Sequence, residues 1–264
     1  MKKLGIMAVG LLLSISLLAG CGTPAAQNNA APVSPDVKAI KDRGVLKVGV
    51  KVDVPKFGYK DPKTNKTEGF EIDLAKKIAK QILGDENKIE LQAVTAKTRG
   101  PLLDNGEIDI VAATFTITEE RKKSYNFSDP YFTDGVGLMV KKASGIKSLK
   151  DLDGKKIGVA QSSTSKKAVQ EEADKLGIKL TFLEFNTYPE IKTALDSGRV
   201  DCFSVDGAIL FGYLDDSTVI LSDRFSPQNY GIASKKGNDG LAKLINDMIT
   251  DMKKSGELDK LVQQ

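Results

Sequence analysis

The feature that most constrains this chain is that its folded part is written twice. Lys47-Val48-Gly49-Val50 returns as Lys156-Ile157-Gly158-Val159, and Leu103-Asp104-Asn105-Gly106-Glu107-Ile108-Asp109 returns as Leu195-Asp196-Ser197-Gly198-Arg199-Val200-Asp201. The offsets, 109 and 92 residues, are too long for a solenoid and fit two related lobes. Each copy has the same order of elements. An apolar strand (45–50 or 156–160) leads to a helix, and a second strand (89–94 or 180–185) leads to another helix that stops at the repeated glycine. A third strand follows directly (108–113 or 200–205).

The helices have physical support. Phe70, Leu74, Ile78 and Ile82 recur every four residues with Ala75 and Ala79 beside them, which makes one apolar stripe. Asp73 sits in the first turn, where the helix dipole favours a carboxylate. Gly106 and Gly198 suit the left-handed residue that ends a helix. Strands alternating with helices predict parallel sheets, hence two α/β lobes.

Such sheets bind ligands beyond the carboxyl ends of their strands. Those ends hold Lys51, Arg99, Thr114 and Thr116 in the first copy, and Ser163, Thr164, Tyr188 and Asp206 in the second. None presents a nucleophile beside a base. The chain has no His, which removes His-based triads and dyads and any His-ligated metal site. Two Cys build neither a metal cluster nor a disulfide framework. A net charge of +4 over 264 residues is too weak to suggest nucleic acid. No cofactor or metal is expected.

What the strand ends offer is a polar cleft suited to a small zwitterion. Asp206 can neutralise an ammonium, and an arginine can grip a carboxylate through two parallel hydrogen bonds. If Lys51, Arg99 and Arg121 all face the cleft unpaired, the ligand must bring a second negative charge, which favours aspartate or glutamate. Each residue also has a plainer reading. Lys51 can be a solvated side chain, Asp206 a helix cap, and Thr116 to Arg121 a capping box with Thr118 at the cap and Arg121 exposed.

Residues 1–20 are a secretory signal: two lysines, an apolar run and small residues at the end. Its removal takes Lys2 and Lys3 away, and the net charge falls from +4 to +2. Leu18-Ala19-Gly20-Cys21 resembles the lipobox of bacterial lipoproteins, which implies a lipid on Cys21. Residues 21–36, small, polar and proline-dotted, read as a flexible tether. Cys202 then has no partner and is expected as a buried thiol.

Five ordered motifs carry a resemblance over nearly all of the chain beyond the tether. They are Gly69-Phe70-Glu71-Ile72-Asp73-Leu74, Thr116-Ile117-Thr118-Glu119-Glu120-Arg121, Phe127-Ser128-Asp129-Pro130-Tyr131, Ser148-Leu149-Lys150-Asp151-Leu152 and Gln228-Asn229-Tyr230-Gly231-Ile232-Ala233. Together they resemble the polar amino acid solute-binding proteins of ABC importers, family 3. The resemblance implies a type II periplasmic-binding-protein fold, two α/β lobes joined by crossing strands at 138–142 and 230–234. It divides the chain into residues 37–139 with 232–264, and 140–231. It also implies a monomer held on the outer face of a membrane by its lipid, with the permease and its ATPase as partners.

The same resemblance assigns Arg121, Thr116, Ser163 and Thr164 to the ligand α-carboxylate, Asp206 and Thr114 to the α-ammonium, and Phe70 to a ring over the ligand. Lys51 and Arg99 resemble the side-chain carboxylate readers of the aspartate/glutamate-binding lipoproteins and their adhesin-like relatives. Glutamine and cysteine binders, an adhesion role, and a dehydratase of cyclic acids are the alternatives. With no paired carboxylates at the strand ends, the enzyme is disfavoured.

Overall fold

The computed structural model describes residues 33–263, so the signal, Cys21 and most of the tether lie outside the described residues. A helix, Pro35–Arg43, already begins inside the segment expected as tether. Proline is preset for a helix's first turn, and Asp36 Oδ2 accepts the Leu241 N–H at 2.8 Å.

Each lobe is built on its own sheet. In the first, Leu46–Val50 lies between Ile89–Ala93 and Ile110–Ala112, all parallel. In the second, Lys156–Ala160 lies between Thr181–Phe185 and Cys202–Asp206, again parallel. The repeated motifs therefore form the same three-stranded core twice. Antiparallel strands from the connecting segments complete both sheets, so they are mixed rather than purely parallel. Ala233–Lys235 and Tyr125–Phe127 extend the first, while Phe132–Lys141 with Thr218–Ile220 and Phe225–Tyr230 extends the second.

The helix Phe70–Leu83 buries Ile72, Leu74, Ile78 and Ile82. At about 1.5–3 kcal/mol for each large side chain removed from water, that stripe accounts for much of the first lobe's core. Gly106 and Gly198 both have φ 75°, as the helix stops require. Gly49 and Gly158 are needed for contact: a Cβ would meet Ile108 Cδ1 at 2.5 Å in one lobe and Ile191 Cγ2 at 2.6 Å in the other. Cys202 is buried and free, with its thiol pushed well up by burial.

The lobes are joined at a different place from that expected. Residues 138–142 do not cross. Leu138 and Val140 pair with Ser204 and Cys202 deep in the second sheet, where the unbroken apolar run Val136 to Val140 is fully buried. The passage falls earlier, at 128–131, with the return at 231–232. There the Tyr131 N–H donates to the Tyr230 carbonyl and the Ser128 N–H to the Ile232 carbonyl, each at 2.9 Å.

A small sheet of Asp53–Val54, Gly58–Lys60 and Thr67–Glu68 stands beside the first lobe and was not anticipated. Among the described residues no helix is long and apolar enough to cross a membrane.

Candidate functional site

The strand ends of both lobes meet, and every charged candidate except Arg121 is almost wholly buried. Lys51 directly follows the strand Leu46–Val50 and is 1% exposed, so the solvated reading fails. It is also not unpaired. Its Nζ lies 2.9 Å from Asp53 Oδ1 and 4.5 Å from the centre of the Tyr188 ring. Burial lowers its pKa, and Asp53 holds it up against that effect.

Arg99, first residue of the helix Arg99–Asp104, turns inward. Its Nη1 donates to the carbonyls of Ala113 at 2.6 Å and Thr114 at 3.1 Å, and its guanidinium lies 4.1 Å from the Phe115 ring centre. Arg121 lies against the same ring at 4.7 Å. Its Nη1 donates to the Thr116 carbonyl at 2.8 Å, and its Nη2 reaches the other lobe at Ser162 O, 3.0 Å away. Thr118 does cap the short helix Glu119–Ser124, accepting the Arg121 N–H at 3.1 Å, yet the arginine side chain is half-buried rather than exposed. Burial beside Arg99 lowers its pKa to about 9.

Asp206 ends the strand Cys202–Asp206. Its carboxylate makes no capping bond to the helix Gly207–Phe211 that follows; Asp134 Oδ2 takes the Ala208 N–H there instead, at 2.6 Å. Asp206 Oδ2 accepts the Tyr230 hydroxyl. Burial, more than any neighbour, pushes Asp206 up to about 6.

The remaining candidates divide. Thr114 and Thr116 are buried beside these groups. The hydroxyls of Ser163 and Thr164 are taken inside the protein, by Ala160 O and Gln228 Oε1, both at 2.7 Å. What they offer instead is position. They lead into the helix Ser165–Leu176, whose amino end favours an anion, and the Arg121–Ser162 contact brings a guanidinium to it. Phe70 packs against Phe57 and Tyr131 in an aromatic cluster with Phe132 and Tyr230. The rings found against Lys51, Arg99 and Arg121 are Tyr188 and Phe115.

Sequence reasoning missed two acids, and they change the charge sum. Asp53 pairs with Lys51. Glu71, wholly buried, lies close enough to Arg99 and Lys51 to feel both charges, although burial is the larger effect and raises its pKa. Three cations thus face three carboxylates: Asp53, Glu71 and Asp206. Asp53 lies on the unanticipated small sheet. Glu71 is a first-turn acid of the helix Phe70–Leu83, and nothing in a single sequence marks it as buried.

Lobe contacts close around this cluster. The Tyr213 hydroxyl donates to the Asp53 carbonyl, the Tyr188 N–H lies 3.4 Å from Asp53 Oδ2, and Pro55 fits against Gly212. Among the described residues Arg99 Nε, Thr114 Oγ1, Gln161 Oε1 and Asp206 Oδ1 are buried without a hydrogen bond inside the protein. Such groups are costly unless paired, and with Asp53 Oδ1 and Glu71 Oε2 in the same cluster they have bonding capacity to spare for a solute. A surface groove of about 690 Å³ lies elsewhere, beside the crossing segments at Asn126, Asp129 and Asn246.

Two α/β lobes closing strand ends over a buried polar cluster define a two-lobed solute-binding protein. The sequence matches the bacterial extracellular solute-binding proteins, family 3, over residues 46–264, and the chain belongs to that family. It is 44% identical to the ABC transporter glutamine-binding protein GlnH of Bacillus subtilis, over 100% of this chain and 97% of that one. To an L-glutamate/L-aspartate-binding protein of Pseudomonas aeruginosa it is 31% identical, over 88% and 82% of the two chains. An ancestral arginine-binding protein bound to glutamine superposes with a TM-score of 0.74 at 43% identity, covering 83% of this chain and 96% of that one. These relatives and the family are binding proteins, not enzymes. The expected leaning toward the aspartate/glutamate binders is not what the more similar relative carries.

Proposed function

We propose that this chain captures L-glutamine outside the cytoplasm for an ABC importer, with Arg121, Thr116 and the helix start at Ser163 and Thr164 receiving the α-carboxylate. Asp206 and Thr114 receive the α-ammonium. One observation carries the choice of side chain: the Lys51–Asp53 pair at 2.9 Å. A lysine and a carboxylate side by side present a donor next to an acceptor, the complement of a carboxamide. A ligand carboxylate would bring an acceptor oxygen against Asp53. The three cations are also balanced by three acids inside the protein, so the second negative charge argued for from sequence is not needed. Hydrogen bonds to charged groups contribute about 1.5–3 kcal/mol each, enough for a few of them to set affinity near ~1 μM after the cost of closing the lobes.

The acidic reading keeps one observation in its favour. Arg99 Nε is a buried donor with no partner in the protein, and a second carboxylate would use it. Lipidation of Cys21, with the permease as the membrane partner, completes the proposal; a diacylglyceryl mass increment on the mature amino terminus is its test. For the ligand, the protein is unfolded, refolded free of carried-over solute and titrated calorimetrically with glutamine, glutamate, aspartate, cysteine and arginine. Tight binding of glutamine alone is expected, and tight binding of the acidic pair would reverse the reading.

A further inference from the structure

Glu71 is the second residue of the helix Phe70–Leu83 and has no exposed surface. A first-turn acid gains from the helix dipole without being buried. Here the side chain turns into the protein, and Oε1 accepts the Thr114 N–H at 2.6 Å and the Tyr131 hydroxyl. Thr114 has φ 44°, a left-handed backbone that β-branched residues rarely adopt and that persists only where neighbours fix it.

Its neighbours fix it from both sides. Glu71 holds the N–H, while Arg99 holds the carbonyl at 3.1 Å and that of Ala113 at 2.6 Å. Among the described residues the Thr114 hydroxyl is buried without a hydrogen bond that meets ordinary geometry, so the backbone twist decides where it stands and where Arg99 is anchored. Tyr131, the other donor to Glu71, lies in the segment that crosses between the lobes.

We propose that Glu71 is a positioning residue: its Oε1 fixes the left-handed turn at Thr114, and through that turn Arg99, in the geometry that receives the solute. The ligand part of this inference rests on the amino-acid reading of the cleft. Glycine adopts the left-handed conformation without steric cost, so Thr114→Gly removes the need for a clamp. The test is a double-mutant cycle of Glu71→Leu with Thr114→Gly, read by titration with glutamine and by thermal unfolding without ligand.

Glu71→Leu is expected to weaken binding by about 30-fold in the Thr114 background and by no more than about threefold with Thr114→Gly. Glu71→Gln keeps an acceptor oxygen for the Thr114 N–H but not the charge, and is expected to recover part of the lost binding. An equal loss in both backgrounds would overturn the proposal. If Glu71→Leu alone does not fold, recovery of folding on adding Thr114→Gly supports it, and failure of the double variant overturns it. Should the wild type bind no amino acid, the amino-acid reading fails by itself, and coupling in melting temperature still decides the role of Glu71.

Discussion

Lys47 is the second residue of the strand Leu46–Val50 and Lys156 the first of Lys156–Ala160, and in both lobes an aspartate takes the backbone N–H of that lysine at 2.8 Å. The two are Asp109 and Asp201, equivalent residues of the repeat. Where the strands end, the equivalence stops. The position of Lys51 in the first copy is Ala160 in the second, and Thr114 corresponds to Asp206. Lys51, Arg99 and Arg121, the three cations of the cleft, all belong to the first lobe. The second contributes the anion Asp206 and a helix start. The repeat thus preserves what folds a lobe and diverges where the lobes face each other, so a cleft between near-copies is polarised, as a zwitterion requires.

The largest test of that asymmetry compares equivalent positions. Asp206→Asn removes the proposed partner of the ammonium and leaves buried cations unbalanced. Calorimetry should show binding weakened by about 100-fold or more, and Thr114→Val by about tenfold or less. Similar losses at the two positions would break the comparison.

Acid separates ligand binding from folding. Ammonium capture needs Asp206 ionised, so affinity should be flat above neutral pH and fall by about tenfold per unit well below 6. The sign for the ligand-free fold is opposite. Because the folded pKa is raised from 3.8 to about 6, ionisation costs the fold, and stability from this group rises as pH falls through that window. Binding titrations and unaided melting curves across pH 4.5–8 should therefore move in opposite directions on its account, with Asp206→Asn removing both trends.

The conserved half of the comparison predicts matched effects. Gly49→Ala and Gly158→Ala place a Cβ against the ends of Ile108 and Ile191, so each should cost about 1–3 kcal/mol in denaturant unfolding. Smallest are Asp109→Asn and Asp201→Asn, at about 1 kcal/mol each. The first should cost slightly more, because Asp109 also pairs with Arg43.

Much of this was legible in the sequence for a physical reason: strands and helix stops are set by local chemistry, and the repeat printed them twice. Arg121, Arg99, Asp206 and Thr114 could be read as candidates because strand ends, and the turns beside them, are a place that topology defines. Asp53 and Glu71 were not. Their partners, Lys51 and Thr114, are set by how a small sheet and a helix pack against the strands, and no spacing encodes that. The same blindness made Lys51 look unpaired, and the expectation of an acidic ligand rested on that. The crossing at 128–131 was misplaced because an apolar run buried on both faces reads alike in either sheet.

The most direct test titrates glutamine and glutamate, side by side, into refolded wild type and Asp53→Asn. Wild type should bind glutamine at least about tenfold more tightly than glutamate, and removing the charge that balances Lys51 should narrow or invert that ratio. A wild type that prefers glutamate, or a ratio untouched by Asp53→Asn, would contradict the account of a charge-balanced cleft.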